Sequence, residues 1–166
     1  HSPIVLNPEV VDAIQDDGGT ILGSSRGEQD ISTMVDTLMR LNINMLFCIG
    51  GDGTLRGARE IAAEIKRRKQ PISVIGIPKT IDNDVWGTDF SFGFDTAVSI
   101  ATDAIDRLHS TATSHQRVMV IEVMGHKAGW LALYSGMAGG GDIILLPEIP
   151  FNIHNIGDTI IDRLKK

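Results

Sequence analysis

Two hydrophobic patterns alternate along the 166-residue chain. Short runs of apolar and β-branched residues predict strands, and the stretches between them carry apolar residues at helical spacing. The predicted strands are 44–49, 72–77, 117–123 and 142–146, with a weaker one at 20–22. The predicted helices are 29–41, 54–69, 94–108, 128–138 and 155–164. This alternation favours parallel strands covered by helices, and we predict one α/β unit over residues 1–166 with a three-layer α/β/α arrangement.

Polar, glycine-containing loops follow two of the predicted strands. Residues 50–53 (GGDG) come after the strand at 44–49, and the stretch GIPKTIDND (76–84) comes after the apolar run 72–75. Ligands of open α/β sheets bind at the carboxyl ends of the strands. The two loops are therefore expected to face one crevice.

The first loop lies in IGGDGTLRGA, at residues 49–58. Glycines let the backbone approach a bound group closely, and a helix that begins there offers free N–H donors to an anion. Asp52 would repel a phosphate unless a divalent cation bridged them, which indicates Mg²⁺ shared between carboxylate and phosphate oxygens. The structural alternative is an ordinary strand–helix turn in which Asp52 caps the helix.

The second loop, PKTIDND, places Asp82 and Asp84 two residues apart. Phosphoryl transfer needs positioned donors, a metal ion and a carboxylate that takes the proton of the acceptor hydroxyl. In an extended segment, residues i and i+2 point the same way, so both carboxylates could enter one site. The structural alternative is a turn in which the side chains bond their own backbone, and Asn83 alone fits that alternative well.

Composition narrows the class of protein. The net charge is −6 without a basic stripe, which argues against a nucleic-acid binder. Cys48 is the only cysteine and lies in an apolar run, so we expect packing, with no internal disulfide. No stretch has the length and hydrophobicity of a membrane span, and the start does not resemble a signal peptide. These features indicate a soluble protein of the reducing cytoplasm.

Several motifs in a fixed order resemble the catalytic core of the 6-phosphofructokinases. They are LGSSRG, GGDGT, PKTIDND, SHQRVMVIEVMGHKAGWLAL and GGGDIILLPE, which together cover residues from about 20 to 150. NAD kinases and diacylglycerol kinases share GGDGT but not the other motifs. The resemblance implies a Rossmann-like lobe and Mg²⁺-dependent transfer of the γ-phosphoryl group of ATP to the 1-hydroxyl of fructose 6-phosphate, a glycolytic reaction. The alternatives are a pyrophosphate-dependent enzyme of the family and a non-catalytic regulatory lobe.

The resemblance also implies roles for individual residues. The phosphoryl donor would be bound by Arg26, Gly51, Asp52, Gly53 and Thr54, with Asp52 linked to the metal ion. The catalytic residues would be Asp82 as general base, together with Thr80 and Asp84. The sugar would be contacted by Thr80, Asp82, Met124 and Gly125. Arg117 matches a residue that reaches the sugar phosphate bound by a neighbouring subunit, which implies a homo-oligomer.

Two positions bear on the phosphoryl donor. Gly53 resembles the ATP-using enzymes, because pyrophosphate users typically carry Asp there and a side chain would intrude where the α-phosphate lies. Lys79 resembles the pyrophosphate users, although some ATP-using branches combine both residues, and we expect ATP. His126 departs from the family, which often has Arg directly after Met-Gly, so no catalytic role is assigned to it.

Family members are considerably longer than this chain. The Gly-rich strand and loop that precede LGSSRG, and the sugar-phosphate contacts that follow residue 150, are not found in the sequence. The resemblance therefore implies an internal fragment of a longer phosphofructokinase, and we expect little or no activity from the isolated 166 residues.

Overall fold

The computed structural model describes residues 3–24, 27 and 29–165. Three strands and six helices are assigned within them, with one turn of 3₁₀ helix at Ile14–Asp16. The strands are β1 (Met45–Gly50), β2 (Ser73–Thr80) and β3 (Phe92–Gly93). The helices are α1 (Pro8–Val11), α2 (Ile31–Arg40), α3 (Asp52–Arg67), α4 (Phe94–His115), α5 (Trp130–Ala138) and α6 (Ile153–Leu164).

The three strands form a parallel sheet in the order β1-β2-β3. Residues Met45 to Gly50 pair in register with Ser73 to Pro78, and Lys79 and Thr80 pair with Phe92 and Gly93. Parallel pairing is confirmed. β2 extends three residues beyond its predicted end because β3 supplies a partner for its last two residues. Lys79 and Thr80 are consequently strand residues rather than turn residues.

Helix α3 packs against one face of the β1–β2 pair. A Cβ on Gly76 would lie 2.8 Å from Cδ2 of Leu55, so a side chain at this position on β2 would require the side chain of Leu55 on α3 to shift. Gly76 pairs with Cys48, which places the Cys48 thiol on the same, half-buried face. Burial raises the pKa of that thiol, in agreement with a packing role. On the opposite face, Met45, Phe47 and Ile49 are exposed.

Arg68 ties α3 to α2. Its guanidinium donates to Oε1 of Glu64 at 2.6 Å and to Oγ of Ser32 at 2.6 Å, and it also pairs with Asp36. Lys66 and Arg67 occupy the last turn of α3, where cations suit the helix dipole. Arg68 itself, with a side chain only 17% exposed, serves as a bridge between two helices.

A second packed region forms where α4 meets α5. Phe94, Ile105 and Leu131 are buried there, and the hydroxyl of Ser135 donates to the carbonyl of Leu131 at 2.6 Å. No helix in the described ranges has the combined length and apolar character needed to cross a membrane.

The strands predicted at 117–123, 142–146 and 20–22 are wrong for the described residues, where none of these segments joins a sheet. The apolar runs at 117–123 and 142–146 border a cavity of about 840 Å³ together with α4, α5 and α6. Val120 there is 92% exposed. A hydrophobic run shows that a segment can be buried, whereas a strand also needs a hydrogen-bonded neighbour.

Candidate active site

The two polar loops meet at the carboxyl edge of the sheet, as predicted. Gly50, the last residue of β1, pairs with Pro78, two residues before β2 ends at Thr80. A Cβ placed on Gly51 would lie 3.7 Å from the Cβ of Thr80 and 3.8 Å from the carbonyl oxygen of Lys79. The start of α3 and the end of β2 are therefore so close that a single added methyl group on Gly51 would fill the space between them.

The first loop runs directly into α3. Gly51 is the N-cap residue and offers no side-chain cap, so the interpretation of Asp52 as the cap is not supported. The first helical bond runs from the N–H of Leu55 to the carbonyl of Gly51 at 3.0 Å. The N–H groups of Asp52, Gly53 and Thr54 precede it and lack intrahelical acceptors, as at any helix start. They form an arrangement suited to an anion.

The glycines of this loop differ in what surrounds them. A Cβ on Gly50 would collide with the side chain of Thr54, which explains why the strand ends on glycine. A Cβ on Gly53 would meet nothing within 4 Å. A side chain at position 53 would therefore project into the open space before the helix rather than into the protein.

The carboxylate of Asp52 is 64% exposed and pairs with Nη2 of Arg56 one turn along α3. No group of three or more His, Cys, Asp or Glu side chains that could hold a metal occurs in the part of the chain that the structure describes. Mg²⁺ typically takes one or two protein carboxylates and completes its shell with phosphate and water. The exposed carboxylate of Asp52 beside free N–H donors fits that kind of site.

The two carboxylates of PKTIDND both lie in the loop 81–91, but in different surroundings. Asn83 has φ 53°, in the left-handed region, so the segment is not extended and the premise that Asp82 and Asp84 point the same way is not met. Asp82 is half-buried and Asp84 is exposed. Oδ1 of Asp82 is buried without a hydrogen-bond partner among the described residues. An unpartnered buried carboxylate oxygen is costly unless a ligand supplies its donor.

Asn83 bonds across this loop instead of to the backbone next to it. Its Oδ1 accepts from the N–H of Ser91 at 2.8 Å, and its Nδ2 donates to the carbonyl of Asp89 at 3.1 Å. Sequence reasoning missed Ser91, which is buried at 5% exposure and donates from Oγ to the carbonyl of Thr80 at 2.8 Å. Only its position before a helix start hinted at a capping residue.

Of the residues expected to contact the sugar, Thr80 and Asp82 lie at this edge, whereas the others line a different part of the surface. Arg117, Met124 and Gly125 line the cavity described above, and Asp52, Thr80, Asp82 and Asp84 are not among its lining residues. Gly125 has φ 146° and its carbonyl accepts from the N–H of Ala128 at 2.8 Å. That carbonyl begins a tight turn, and a Cβ on Gly125 would lie 2.5 Å from the carbonyl oxygen of Ala128.

Glu148 is a second residue that sequence reasoning did not single out. Its Oε1 accepts from the N–H of Gly129 at 2.7 Å, immediately before α5 begins. The carboxylate thus occupies the position of a helix cap on the segment that follows Met124 and Gly125. The available signal was the glutamate that ends GGGDIILLPE.

Aromatic rings connect the loop that carries Asp82 with helix α5, which follows Met124 and Gly125. The ring of Tyr134 on α5 lies 6.5 Å from Phe90 in the loop, 5.4 Å from Phe94 and 6.2 Å from Trp130, measured between centroids. All three pairs are tilted toward edge-to-face geometry, which aromatic pairs prefer. The loop that carries Asp82 is therefore packed against the helix that follows the 124–125 turn.

Two further residues predicted to belong to the site are Arg26 and Lys79. Arg26 lies outside the described residues. Lys79 is exposed on β2, next to Thr80.

A profile of the phosphofructokinase family matches residues 2–166. The chain belongs to the phosphofructokinase family. It is 58% identical over 160 residues to ATP-dependent 6-phosphofructokinase 3 of Bacteroides thetaiotaomicron, an alignment covering 90% of this chain and 46% of that protein. It is 46% identical over 167 residues to the pyrophosphate–fructose 6-phosphate 1-phosphotransferase of Streptomyces coelicolor, covering 98% of this chain and 47% of that protein.

The fold agrees with a solved phosphofructokinase. The crystal structure of the pyrophosphate-dependent enzyme from Marinobacter aquaeolei superposes with a TM-score of 0.80 at 28% identity, over 89% of this chain and 40% of that one. The predicted Rossmann-like α/β lobe of a phosphofructokinase is confirmed. The chain spans less than half the length of these relatives.

Proposed function

We propose that the protein to which this phosphofructokinase segment belongs transfers the γ-phosphoryl group of ATP to the 1-hydroxyl of fructose 6-phosphate. The observation that carries the proposal is the buried, unpartnered Oδ1 of Asp82, two residues after Thr80, the residue that lies close to Gly51 at the start of α3 with its free N–H groups. The carboxylate of Asp82 can accept the proton of an attacking hydroxyl, and the N–H groups can hold the phosphates of a donor.

In the proposed reaction the oxygen of the sugar's 1-hydroxyl forms a bond to the γ-phosphorus, and Asp82 takes the proton from that hydroxyl. The bond between that phosphorus and the β–γ bridging oxygen breaks, and ADP leaves with the electron pair. Thr80 and Asp84 flank the transferred group. The hydroxyl of Thr80 accepts from the N–H of Asp82 at 3.1 Å, which fixes the backbone on which the base is carried.

The donor site would combine the start of α3 with a divalent cation, which the phosphotransferases of this family need. Arg26, Gly51, Gly53 and Thr54 would bind the phosphates, and Asp52 would hold Mg²⁺. When bound, the ion neutralises charge on the phosphates during transfer. Arg56 shares the carboxylate of Asp52 in the structure and would exchange that contact for a phosphate when the ion arrives.

The sugar site would be completed by Met124 and Gly125, and by Arg117 acting on the sugar phosphate bound to a neighbouring subunit. This role for Arg117 makes the active protein a homo-oligomer. The segment 1–166 is proposed to be an internal fragment, and by itself it should show little or no turnover.

ATP is the proposed donor because a side chain at position 53 would enter the donor space, and Gly53 leaves that space free. Pyrophosphate is the second candidate. Lys79 favours it, and the relative from Streptomyces coelicolor is named for it.

The test uses the full-length parent enzyme with fructose 6-phosphate and Mg²⁺, assayed with ATP and with pyrophosphate. Asp82→Asn should lower kcat by about 10²–10⁴-fold, the contribution of a general base, and Asp95→Asn on exposed α4 is the matched control. An unchanged rate in Asp82→Asn would remove Asp82 from this role. Turnover with pyrophosphate alone would reassign the donor, and silence with both donors would favour a regulatory lobe.

A further inference from the structure

We propose that Asn83 and Ser91 form a loop clip, meaning the hydrogen-bonded set of these two side chains, that positions Asp82 for proton transfer. The inference rests on the proposed function, since it gives Asp82 the role of base. Neither residue needs to touch substrate. Both would act through the backbone that carries the carboxylate.

The clip joins three points of the loop. The N–H of Ser91 donates to Oδ1 of Asn83 at 2.8 Å, and Nδ2 of Asn83 donates to the carbonyl of Asp89 at 3.1 Å. Oγ of Ser91 lies 2.8 Å from the carbonyl of Thr80 and 3.1 Å from Oδ1 of Asn83. A hydroxyl has one proton, so its main bond goes to the nearer acceptor, the carbonyl at the end of β2.

Burial makes these bonds consequential. Ser91 is almost completely inaccessible, and the carbonyl of Thr80 gains its side-chain donor from it. Loss of one partner would leave a desolvated polar group, which is more costly than loss of an exposed hydrogen bond. A buried hydrogen bond therefore holds the last residue of the loop against the end of β2, from which the loop begins.

The carboxylate of Asp82 has no comparable restraint. Within the described residues its Oδ1 makes no hydrogen bond, and the one bond of this residue is from its backbone N–H to Oγ1 of Thr80 at 3.1 Å. A base without side-chain hydrogen bonds is oriented by the direction of its Cα–Cβ bond together with its rotamer and packing. That direction is set by the neighbouring backbone, and the next residue is Asn83.

Asn83 also needs an unusual backbone. At φ 53° it lies in the left-handed region, which Asn adopts more readily than most residues other than Gly. This turn leaves Asp82 half-buried and Asp84 exposed. Asn83 therefore gives the two carboxylates different surroundings through its backbone, and its side-chain hydrogen bonds stabilise that backbone conformation.

Asn83→Gly separates these two contributions in the full-length enzyme. Glycine keeps the left-handed backbone but removes every side-chain bond. We expect kcat to fall about ten- to hundredfold, the effect of a small misplacement, with the KM for the phosphoryl donor nearly unchanged. Asn42→Gly is the matched control, since Asn42 has φ 56°, is exposed, and makes no side-chain hydrogen bond within the described part of the chain.

Ser91→Ala provides an independent second variant that leaves Asn83 intact, with exposed Ser99→Ala on α4 as its control. It should lower kcat in the same way. Equal kcat in Ser91→Ala, Asn83→Gly and the two controls would overturn the proposal.

A cycle with Asp82→Asn distinguishes positioning from general loosening. If the clip acts through Asp82, Asn83→Gly should have little further effect on kcat once the base is gone. An equal fold-loss in both backgrounds would mean a merely structural role and would end the proposal while leaving Asp82 as base. An unchanged kcat in Asp82→Asn alone would instead defeat the proposed function, a separate result from the same four proteins.

Discussion

Gly51 lies close to Thr80, and a Cβ on Gly51 would be 3.7 Å from the Cβ of Thr80. That is ordinary contact, and Gly51 has φ −81° and ψ −165°, a conformation open to any residue. Gly51→Ala should therefore change the free energy of unfolding by no more than about 0.5 kcal/mol. Gly51→Val should cost about 1–3 kcal/mol by forcing Thr80 away, and denaturant unfolding would measure both. Equal stabilities of Gly51→Ala and Gly51→Val would show that the space between Gly51 and Thr80 accepts the larger side chain.

Gly53→Asp tests the donor specificity. Nothing lies within 4 Å of a Cβ there, so the fold should tolerate the change. We expect kcat/KM for ATP to fall at least tenfold, with a smaller loss or a gain for pyrophosphate, because the new carboxylate enters the donor space. Gly157→Asp in α6, also in open space, is the control. Equal losses for both donors would refute the steric explanation.

Gly50→Ala should destabilise the protein by about 1–3 kcal/mol, because its Cβ collides with the side chain of Thr54. The double variant Gly50→Ala/Thr54→Gly removes the obstacle. Thermal unfolding of the four proteins of this cycle should show the Gly50→Ala penalty shrinking in the Thr54→Gly background. A penalty of the same size in both backgrounds would place the clash elsewhere.

Glu64 gives a prediction for pH. Hydrogen bonds from Arg67 and Arg68 lower the pKa of this carboxyl group from 4.5 to about 2. A lowered pKa in the folded state contributes stability that is complete above about pH 4.5 and is lost as pH falls toward 2. The difference in unfolding free energy between wild type and Glu64→Gln should therefore be constant near neutrality and shrink below pH 4.5. Exposed Glu60→Gln, one turn earlier, is the control for the loss of a carboxylate on the same helix.

Phe94 and Phe90 provide a matched pair of rings. Phe94 is 1% exposed and Phe90 is 60% exposed, although both contact Tyr134. Phe94→Ala should cost about 3–5 kcal/mol of unfolding free energy, as for a buried aromatic residue. Phe90→Ala should cost clearly less. Chemical denaturation compares them, and similar values would mean that the loop ring is buried in solution.

The sequence predicted the meeting of the two polar loops more closely than it predicted the sheet. Its polar loops do meet at the strand ends, because register and glycine placement follow from local pattern. The end of β2 was placed too early, since Lys79 and Thr80 gain strand geometry only from β3, a pairing partner of two residues. The apolar runs at 117–123 and 142–146 failed for the converse reason, because they have the pattern of strands but no paired neighbour in the described chain.

The loop clip shows a different limit. A turn-forming interpretation of Asn83 was reasonable from composition, and its left-handed backbone agrees with it. Its actual partner, Ser91, is eight residues away, and no local rule selects that residue. Long-range side-chain bonds of this kind decide which way Asp82 faces. They become visible only when the whole loop is folded.

The ring of Tyr134 links three segments of the chain. Its ring contacts Phe90 from the loop of Asp82, Phe94 from the start of α4 and Trp130 from the start of α5. The loop, the start of α4 and helix α5 therefore share one aromatic contact. A displacement of α5 at Tyr134 would change the packing of Phe90, which lies eight residues after Asp82 in the same loop.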